Sequence, residues 1–181
     1  MSAQPTLTTE RLLLRPFSPA DAADVRRLAG QREVAANTLT IPHPYEEGMA
    51  DEWIATHAGQ FARGAGAVFA VVERDSGLLV GAIGLSIAAD HARAELGYWV
   101  GKPYWGRGYC TEAARAVLGY AFGDLGLHRV HAHHFARNPA SGRVMRKVGM
   151  TREGCLRGHV RKWGVFEDLE SYGILREEWQ S

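Results

Sequence analysis

Two groups of residues carry enough chemistry to define a site. The first is the run Trp105-Gly106-Arg107-Gly108-Tyr109-Cys110-Thr111. Its glycines let the backbone fold tightly and bring consecutive N–H groups near one point. If a helix opens here, its first N–H groups have no internal partner, and its dipole adds partial positive charge. Such a turn is an anion site suited to a diphosphate. It is not a Walker A loop, because no Gly-Lys-Ser/Thr follows, and it is not the dinucleotide G-x-G-x-x-G, because position 111 is Thr. A strand-to-helix turn with glycines for geometry alone is the plain alternative. The Arg107 side chain either adds charge to the site or is simply solvated.

The second group is His128, His131, His133 and His134, of which His131 and His133 share one face of a strand. A full ligand set at standard spacing is missing, so no metal is expected. Polar strand residues beside an acceptor groove are the other reading. Cys110 and Cys155 allow one disulfide by arithmetic, but two free thiols are expected in a chain without a secretory segment. Cys110 reads as a small packing residue in the turn.

These residues need elements to position them. Thr9 to Phe17 reads as a first strand, ended by Pro16. Ser18 can cap a helix with Pro19 at its first position, running to about Gly30. A second helix is expected from Tyr45 to Arg63, with Trp53, Ile54 and Phe61 near one face. Strands follow at Ala67–Glu73, Leu78–Ala88 and Ala94–Val100, the first two joined by the turn Asp75-Ser76-Gly77. The glycine-rich turn then opens a helix from Thr111 to about Asp124. Arg129–Phe135 is a strand, Pro139–Lys147 a short helix closed by Gly149, and Thr151–Val160 and Phe166–Arg176 are two final strands.

Strands joined by short turns run antiparallel. A strand, a helix and a further strand form a crossover, which makes that pair parallel. The expected class is α/β (α+β), a mixed central sheet of about seven strands with helices on both faces. The chain of 181 residues suits one domain, with no repeat, linker or low-complexity tract. A hydrophobic share of 46%, a charged share of 23% and a net charge of +1 fit a soluble globular protein. The near-zero charge argues against a nucleic-acid partner, and against base stacking on Tyr98, Trp99, Tyr104, Trp105 and Tyr109. No apolar run is long enough to span a bilayer, and Met1-Ser2-Ala3-Gln4-Pro5 is polar with no signal-peptide core. A cytoplasmic location without a membrane is expected.

Trp105 to Cys110 resembles the Q/R-x-x-G-x-G/A loop of the GNAT (Gcn5-related N-acetyltransferase) superfamily. Gly108 fits that pattern, whereas Trp105 replaces the Gln/Arg and Cys110 the small residue. The opening run Thr9-Glu10-Arg11-Leu12-Leu13-Leu14-Arg15 resembles the first strand of the RimJ/RimL-like branch, which acetylates ribosomal-protein N-termini. Glu95-Leu96-Gly97-Tyr98-Trp99-Val100 resembles its fourth strand, and Thr111-Glu112-Ala113 the start of its third helix. Asn138-Pro139-Ala140-Ser141 with Lys147-Val148-Gly149-Met150 resembles its Asn-x-x-Ser…Lys-x-Gly segment. Trp163-Gly164 and Asp168 fit its last hairpin. The likeness covers nearly the whole chain, in order.

The resemblance implies a GNAT fold with a splay between the fourth and fifth strands, where the pantetheine arm of acetyl-CoA pairs as a strand would. It implies cofactor contacts from Trp99, Val100 and Gly101, with the Val100 N–H polarising the thioester carbonyl. Trp105, Gly106, Arg107, Gly108, Tyr109, Cys110 and Thr111 would form the pyrophosphate turn. Asn138 would bond the cofactor arm, or else cap the helix at Pro139.

Acetyl transfer needs a neutral amine, a held thioester and a proton for the leaving thiolate. A protein α-amine, with a pKa near ~7.7–8.0, is substantially neutral at pH 7.5, whereas a lysine near ~10.4 is not. An N-terminal acceptor therefore asks little of a base. Glu95 is the first candidate for it, directly or through water, with a surface carboxylate as the alternative reading and His91 as a second candidate. Many relatives use a Tyr as acid seven residues after the Asn, and here that position is Met145, which has no proton to donate. Ser141 takes the acid role by resemblance to the branch, and otherwise caps the helix. No nucleophile of the chain's own is required.

The expected function is N-acetyl transfer from acetyl-CoA to a primary amine in a ternary complex, the amine being the N-terminal α-amine of a protein. A small amine (polyamine, amino acid or antibiotic) and a non-catalytic acetyl-CoA-binding domain are the alternatives, and a homodimer is a candidate assembly. The segment from Thr38 to Gly66 is expected to cover the acceptor side.

Overall fold

A computed structural model describes residues 3–180, so that Met1, Ser2 and Ser181 lie outside the described residues. Strands β1 (Leu7–Thr8) and β2 (Leu12–Pro16) open the chain. Helices α1 (Ala22–Ala29), α2 (Arg32–Ala36) and α3 (Met49–Ala62) follow, then strands β3 (Gly66–Glu73), β4 (Leu79–Ala88) and β5 (Arg93–Val100). Helix α4 (Tyr109–Gly123), strand β6 (Arg129–Phe135), helix α5 (Pro139–Lys147) and the hairpin β7 (Thr151–Lys162) and β8 (Val165–Leu175) complete it.

The strands form one sheet of eight in the order β1-β2-β3-β4-β5-β6-β8-β7. The expected seven become eight because the first strand divides. Thr9 turns the chain, its N–H donating to the Leu12 carbonyl at 2.9 Å and its hydroxyl oxygen accepting from the Leu12 N–H at 2.9 Å. The β5–β6 pair is parallel and the others are antiparallel, as the connection lengths require.

Three further expectations change in detail. Ser18 does not cap through its hydroxyl. Instead the Asp21 carboxylate reaches back to the Ser18 N–H at 2.8 Å and clamps the Arg15 guanidinium at 2.8 and 2.7 Å. Helix α2 has five residues, too few for a periodic signal, and the sequence reading passes over it. Helix α3 begins at Met49 rather than Tyr45, because Gly48 before it adopts φ +84°.

The sheet is buried on both faces. One core packs Leu14, Phe69, Ile83 and Leu96 against Val117, Leu118 and Met145 of α4 and α5. The other packs Ala70, Val72 and Leu79 against Val25 of α1 and Ile54 of α3. Trp53 joins the second core with Ile54, while Phe61 reaches the first, so the three residues do not share one destination. No helix among the described residues is long and apolar enough to cross a membrane. Both cysteines are free thiols.

Candidate active site

Parallel pairing between β5 and β6 covers only Arg93↔Arg129, Ala94↔Val130 and Glu95↔His131. Beyond Glu95, β5 keeps its partner β4 up to Val100, while β6 keeps β8 up to Phe135. The two strands part, which is the splay expected from the sequence. The Gly101 N–H donates to the Val80 carbonyl at 2.9 Å. Antiparallel bonding alternates from residue to residue, so the backbone groups of Leu96, Tyr98 and Val100 point away from β4 into the gap. Among the groups facing the gap, the Val100 carbonyl accepts from Trp105 Nε1 at 2.7 Å. The Val100 N–H faces the opening.

A cavity of about 480 Å³ lies at this gap, lined by residues of β5, the glycine-rich turn, α4, α5 and the end of α2. Gly106 and Gly108 hold φ +77° and +82°, and Gly108 is the N-cap of α4. Only glycine enters that region without strain, so the turn depends on it. Helix α4 begins at Tyr109, two residues before the expected Thr111, which aims the N–H groups from Tyr109 onward at the cavity.

The turn is braced from below. Glu112 accepts from the Thr9 hydroxyl at 2.6 Å, the Arg11 N–H at 2.8 Å and Arg11 Nε at 2.7 Å. Burial pushes the Glu112 carboxyl up, but these donors outweigh it and hold it below the usual carboxylate range. Arg11 also donates to the Arg107 carbonyl at 2.9 Å and lies over the Tyr109 ring at 5.0 Å. The Thr9-Glu10-Arg11 and Thr111-Glu112-Ala113 runs, far apart in sequence, are thus one hydrogen-bonded unit.

Of the residues expected to contact cofactor, Trp99, Val100, Trp105, Gly106, Gly108, Tyr109, Cys110, Thr111, Asn138 and Ser141 line the cavity. Gly101 and Arg107 do not. A side chain at Gly101 would meet Leu28 of α1 at 2.6 Å, so its glycine serves close packing. Arg107 instead lies over the Tyr104 ring at 5.6 Å. Burial pushes the Cys110 thiol up to about 12, which keeps it protonated and inert at neutral pH.

Asn138 is the N-cap of α5, yet its side chain makes no capping bond. Ser141 does not cap either. Its hydroxyl oxygen lies 2.8 Å from the Tyr98 hydroxyl, and Tyr98 also lies 3.1 Å from the Ser141 carbonyl. Burial raises the Tyr98 pKa above its ordinary value, while the bond to Ser141 opposes that rise. Tyr98 therefore stays a proton donor. The sequence reading placed Tyr98 only in the fourth strand and among the aromatic residues around the turn. It passed over Arg143 of α5 and Asn37 after α2, and gave Lys147 and Thr38 no cofactor contact, yet all four line the cavity.

Glu95 is elsewhere. Strand alternation turns Glu95, Gly97 and Trp99 towards the α1 and α3 side, opposite Tyr98 and Ser141. Glu95 Oε1 lies 3.4 Å from His133 Nδ1, with the Glu95 side chain 53% exposed. The bond to His133 lowers the Glu95 pKa against the opposing effect of burial, and charge on His133 and His131 lowers it further. Burial lowers that of His131. At neutral pH this face therefore holds an ionised Glu95 carboxylate, with the uncharged His131 imidazole opposite it in the strand register. His91 sits in a short 3₁₀ turn between β4 and β5.

The tip of the β7–β8 hairpin meets the segment after α2. The buried Lys162 donates to the carbonyls of Leu39 and Ile41 at 3.2 and 2.8 Å. Arg137 donates to Ala36 O at 2.6 Å, Asn37 Oδ1 at 3.1 Å and Glu167 at 2.8 Å. The segment after α2 is thus fixed by distant residues.

A sheet splayed in its middle, with a glycine-capped helix at the mouth of the gap, is the architecture of an acyl-CoA-dependent transferase. The comparisons agree. The acetyltransferase (GNAT) domain family matches residues 11–151, and the chain belongs to that family. The uncharacterized N-acetyltransferase YnaD of Bacillus subtilis (strain 168) is 35% identical over 96% of this chain and 98% of its own. YdaF of the same organism, provisionally named a ribosomal N-acetyltransferase, is 28% identical over 94% of each chain. Mycobacterium smegmatis RimJ in complex with CoA-disulfide shares the fold, with a TM-score of 0.86 at 24% identity over 97% of this chain and 89% of that one. The protein is an acetyl-CoA-dependent N-acetyltransferase, similar to the RimJ-like members.

Proposed function

We propose that this enzyme acetylates the N-terminal α-amine of a protein, by direct attack within a ternary complex. The observation that carries the reading is the placement of Glu95 and Ser141 on opposite faces of the sheet, at the gap where β5 and β6 part. Donor and acceptor can then meet at one point from two sides, and no residue needs to carry the acetyl group. The provisional name of YdaF supports a ribosomal-protein acceptor, and the bound coenzyme derivative in RimJ supports the cofactor gap.

In this reading the backbone N–H groups from Arg107 to Thr111 hold the pyrophosphate, with charge from Arg143 and Lys147 nearby. Leu96, Tyr98 and Val100 offer the unpaired strand edge to the pantetheine arm, and Asn138 closes its other side. The acetyl thioester supplies an activated carbonyl, and the Val100 N–H is positioned to hold that carbonyl oxygen. Glu95, alone or through water, takes the proton of the attacking amine. Ser141, backed by the Tyr98 hydroxyl, supplies the proton for the thiolate. An α-amine suits this site because it is largely neutral near its pKa of ~7.7–8.0, so a carboxylate below its ordinary range is base enough. The whole chain acts as one catalytic domain.

An intact-mass screen of lysate proteins after incubation with labelled acetyl-CoA tests the acceptor. Label at protein N-termini is expected. Label on small amines alone would replace this reading with a polyamine, amino acid or antibiotic acceptor. Cofactor binding without thiol release, across every acceptor class, would sink turnover itself.

A further inference from the structure

The two histidines that share a face of β6 lack a complete ligand set in sequence. The fold completes it from the neighbouring strand. The parallel register sets Glu95 beside His131, and the two-residue repeat brings His133 to the same face. One ligand atom from each of Glu95, His131 and His133 lies within 4.8 Å of the others. The two rings are 5.5 Å apart and nearly perpendicular, at 81°, so they do not stack. His131 Nδ1 is buried with no hydrogen-bond partner among the described residues.

We propose that Glu95, His131 and His133 bind a divalent transition-metal ion of the zinc type, in a site with one open position. Two imidazoles and one carboxylate are the donor set of borderline dications, whereas calcium and magnesium favour all-oxygen sites. Bonds of about 2.0–2.2 Å require the three ligand atoms to close in by roughly an ångström. Glu95, with 53% of its side chain exposed and His133 as its one side-chain partner among the described residues, is free to make that movement. The strands diverge just beyond the Glu95↔His131 pair, so the fourth position opens towards the gap. Three protein ligands with an open position make a site whose ion can take water or another ligand, rather than a closed structural one. Resting on the reading of Glu95 as base, the bound ion occupies the lone pairs that would accept the amine proton. Zinc then inhibits acetylation reversibly.

Chelator-stripped protein is dialysed against zinc chloride, and bound metal is measured by elemental analysis. Cobalt(II) visible absorption reports the ligand geometry. One zinc per chain at micromolar concentration is expected. Affinity falls at least about tenfold in Glu95→Gln and in His131→Ala/His133→Ala, while His159→Ala and Cys155→Ser keep it. Unaltered acetyl-CoA affinity confirms that each variant is folded, and the exposed Glu95→Gln carries the test if the double variant is not. Absence of zinc binding, or affinity unchanged in Glu95→Gln, overturns the proposal. Zinc bound at these residues with acetylation unaffected upholds the metal site and removes Glu95 as base.

Discussion

The two sides of the β5–β6 gap are built by different means. The proposed cofactor side is made mainly of backbone: two glycines at positive φ, a helix N-terminus and an unpaired strand edge. Its geometry follows from a contiguous run, and Glu112 braces it through Thr9 and Arg11. The proposed acceptor side is made of side chains: Glu95 and His133 on neighbouring strands, with Lys162 and Arg137 fixing the segment after α2. A backbone site tolerates exchange of its side chains and fails on one wrong φ. A side-chain site behaves the other way, and keeps its fold while its chemistry changes. A shared donor with a varied acceptor is what this division permits.

The largest expected effect tests that division on the acceptor side. Glu95→Gln should lower kcat about 100-fold, at the lower end of general-base contributions, with the dissociation constant of acetyl-CoA unchanged. Steady-state kinetics with a peptide acceptor and a binding isotherm separate the two. A parallel loss of cofactor affinity would show that the sides are not independent. Gly108→Val should do the reverse. Positive φ is strained by about 1–3 kcal/mol in a non-glycine residue, so acetyl-CoA binding should weaken roughly 10- to 100-fold. Normal affinity by calorimetry would remove the pyrophosphate from this turn.

Ser141→Ala comes next, with kcat lowered about tenfold and cofactor affinity nearly kept, as expected for loss of one hydrogen bond to a developing charge. Unchanged turnover excludes Ser141 as the acid. The smallest effect at neutral pH concerns His57 of α3, which is only 6% exposed, packed at 4.4 Å from the Trp53 ring and 5.4 Å from that of Phe17, and without a partner for either ring nitrogen among the described residues. Burial lowers its pKa from 6.5 to about 4. The unfolded chain therefore binds the proton more readily, so stability is complete above pH 6.5 and is lost as pH falls towards 4. The loss reaches roughly 3 kcal/mol. Melting temperatures across that range should fall less steeply in His57→Leu, and identical slopes would place the acid sensitivity elsewhere.

The same division explains what could be read in advance. Strands β3 to β6 and helices α4 and α5 follow from local pattern, and the glycine turn announces itself because positive φ needs particular residues. The splay follows from the family resemblance rather than from any residue type. Tyr98 is harder. Its hydroxyl matters through Ser141, 43 residues later, and no spacing rule joins them. Helix α2 is short and is held in place by Arg137, whose partners at Ala36 and Asn37 lie about a hundred residues away. Trp105 breaks the family's loop pattern, and the structure supplies its purpose, since its indole N–H ties the turn to the Val100 carbonyl.

The gap in the sheet has one more consequence. Unpaired strand edges invite other chains to pair with them, and exposed ones seed aggregation. Here the open edges lie in the middle of a sheet of eight strands, walled by α4 and α5. A foreign strand would have to bring its side chains into that slot, whereas a thin arm with amides and no side chains meets no such obstacle. The fold therefore keeps its stickiest backbone where crowding by neighbours cannot reach it, in a slot that a narrow chain enters more easily than a strand does.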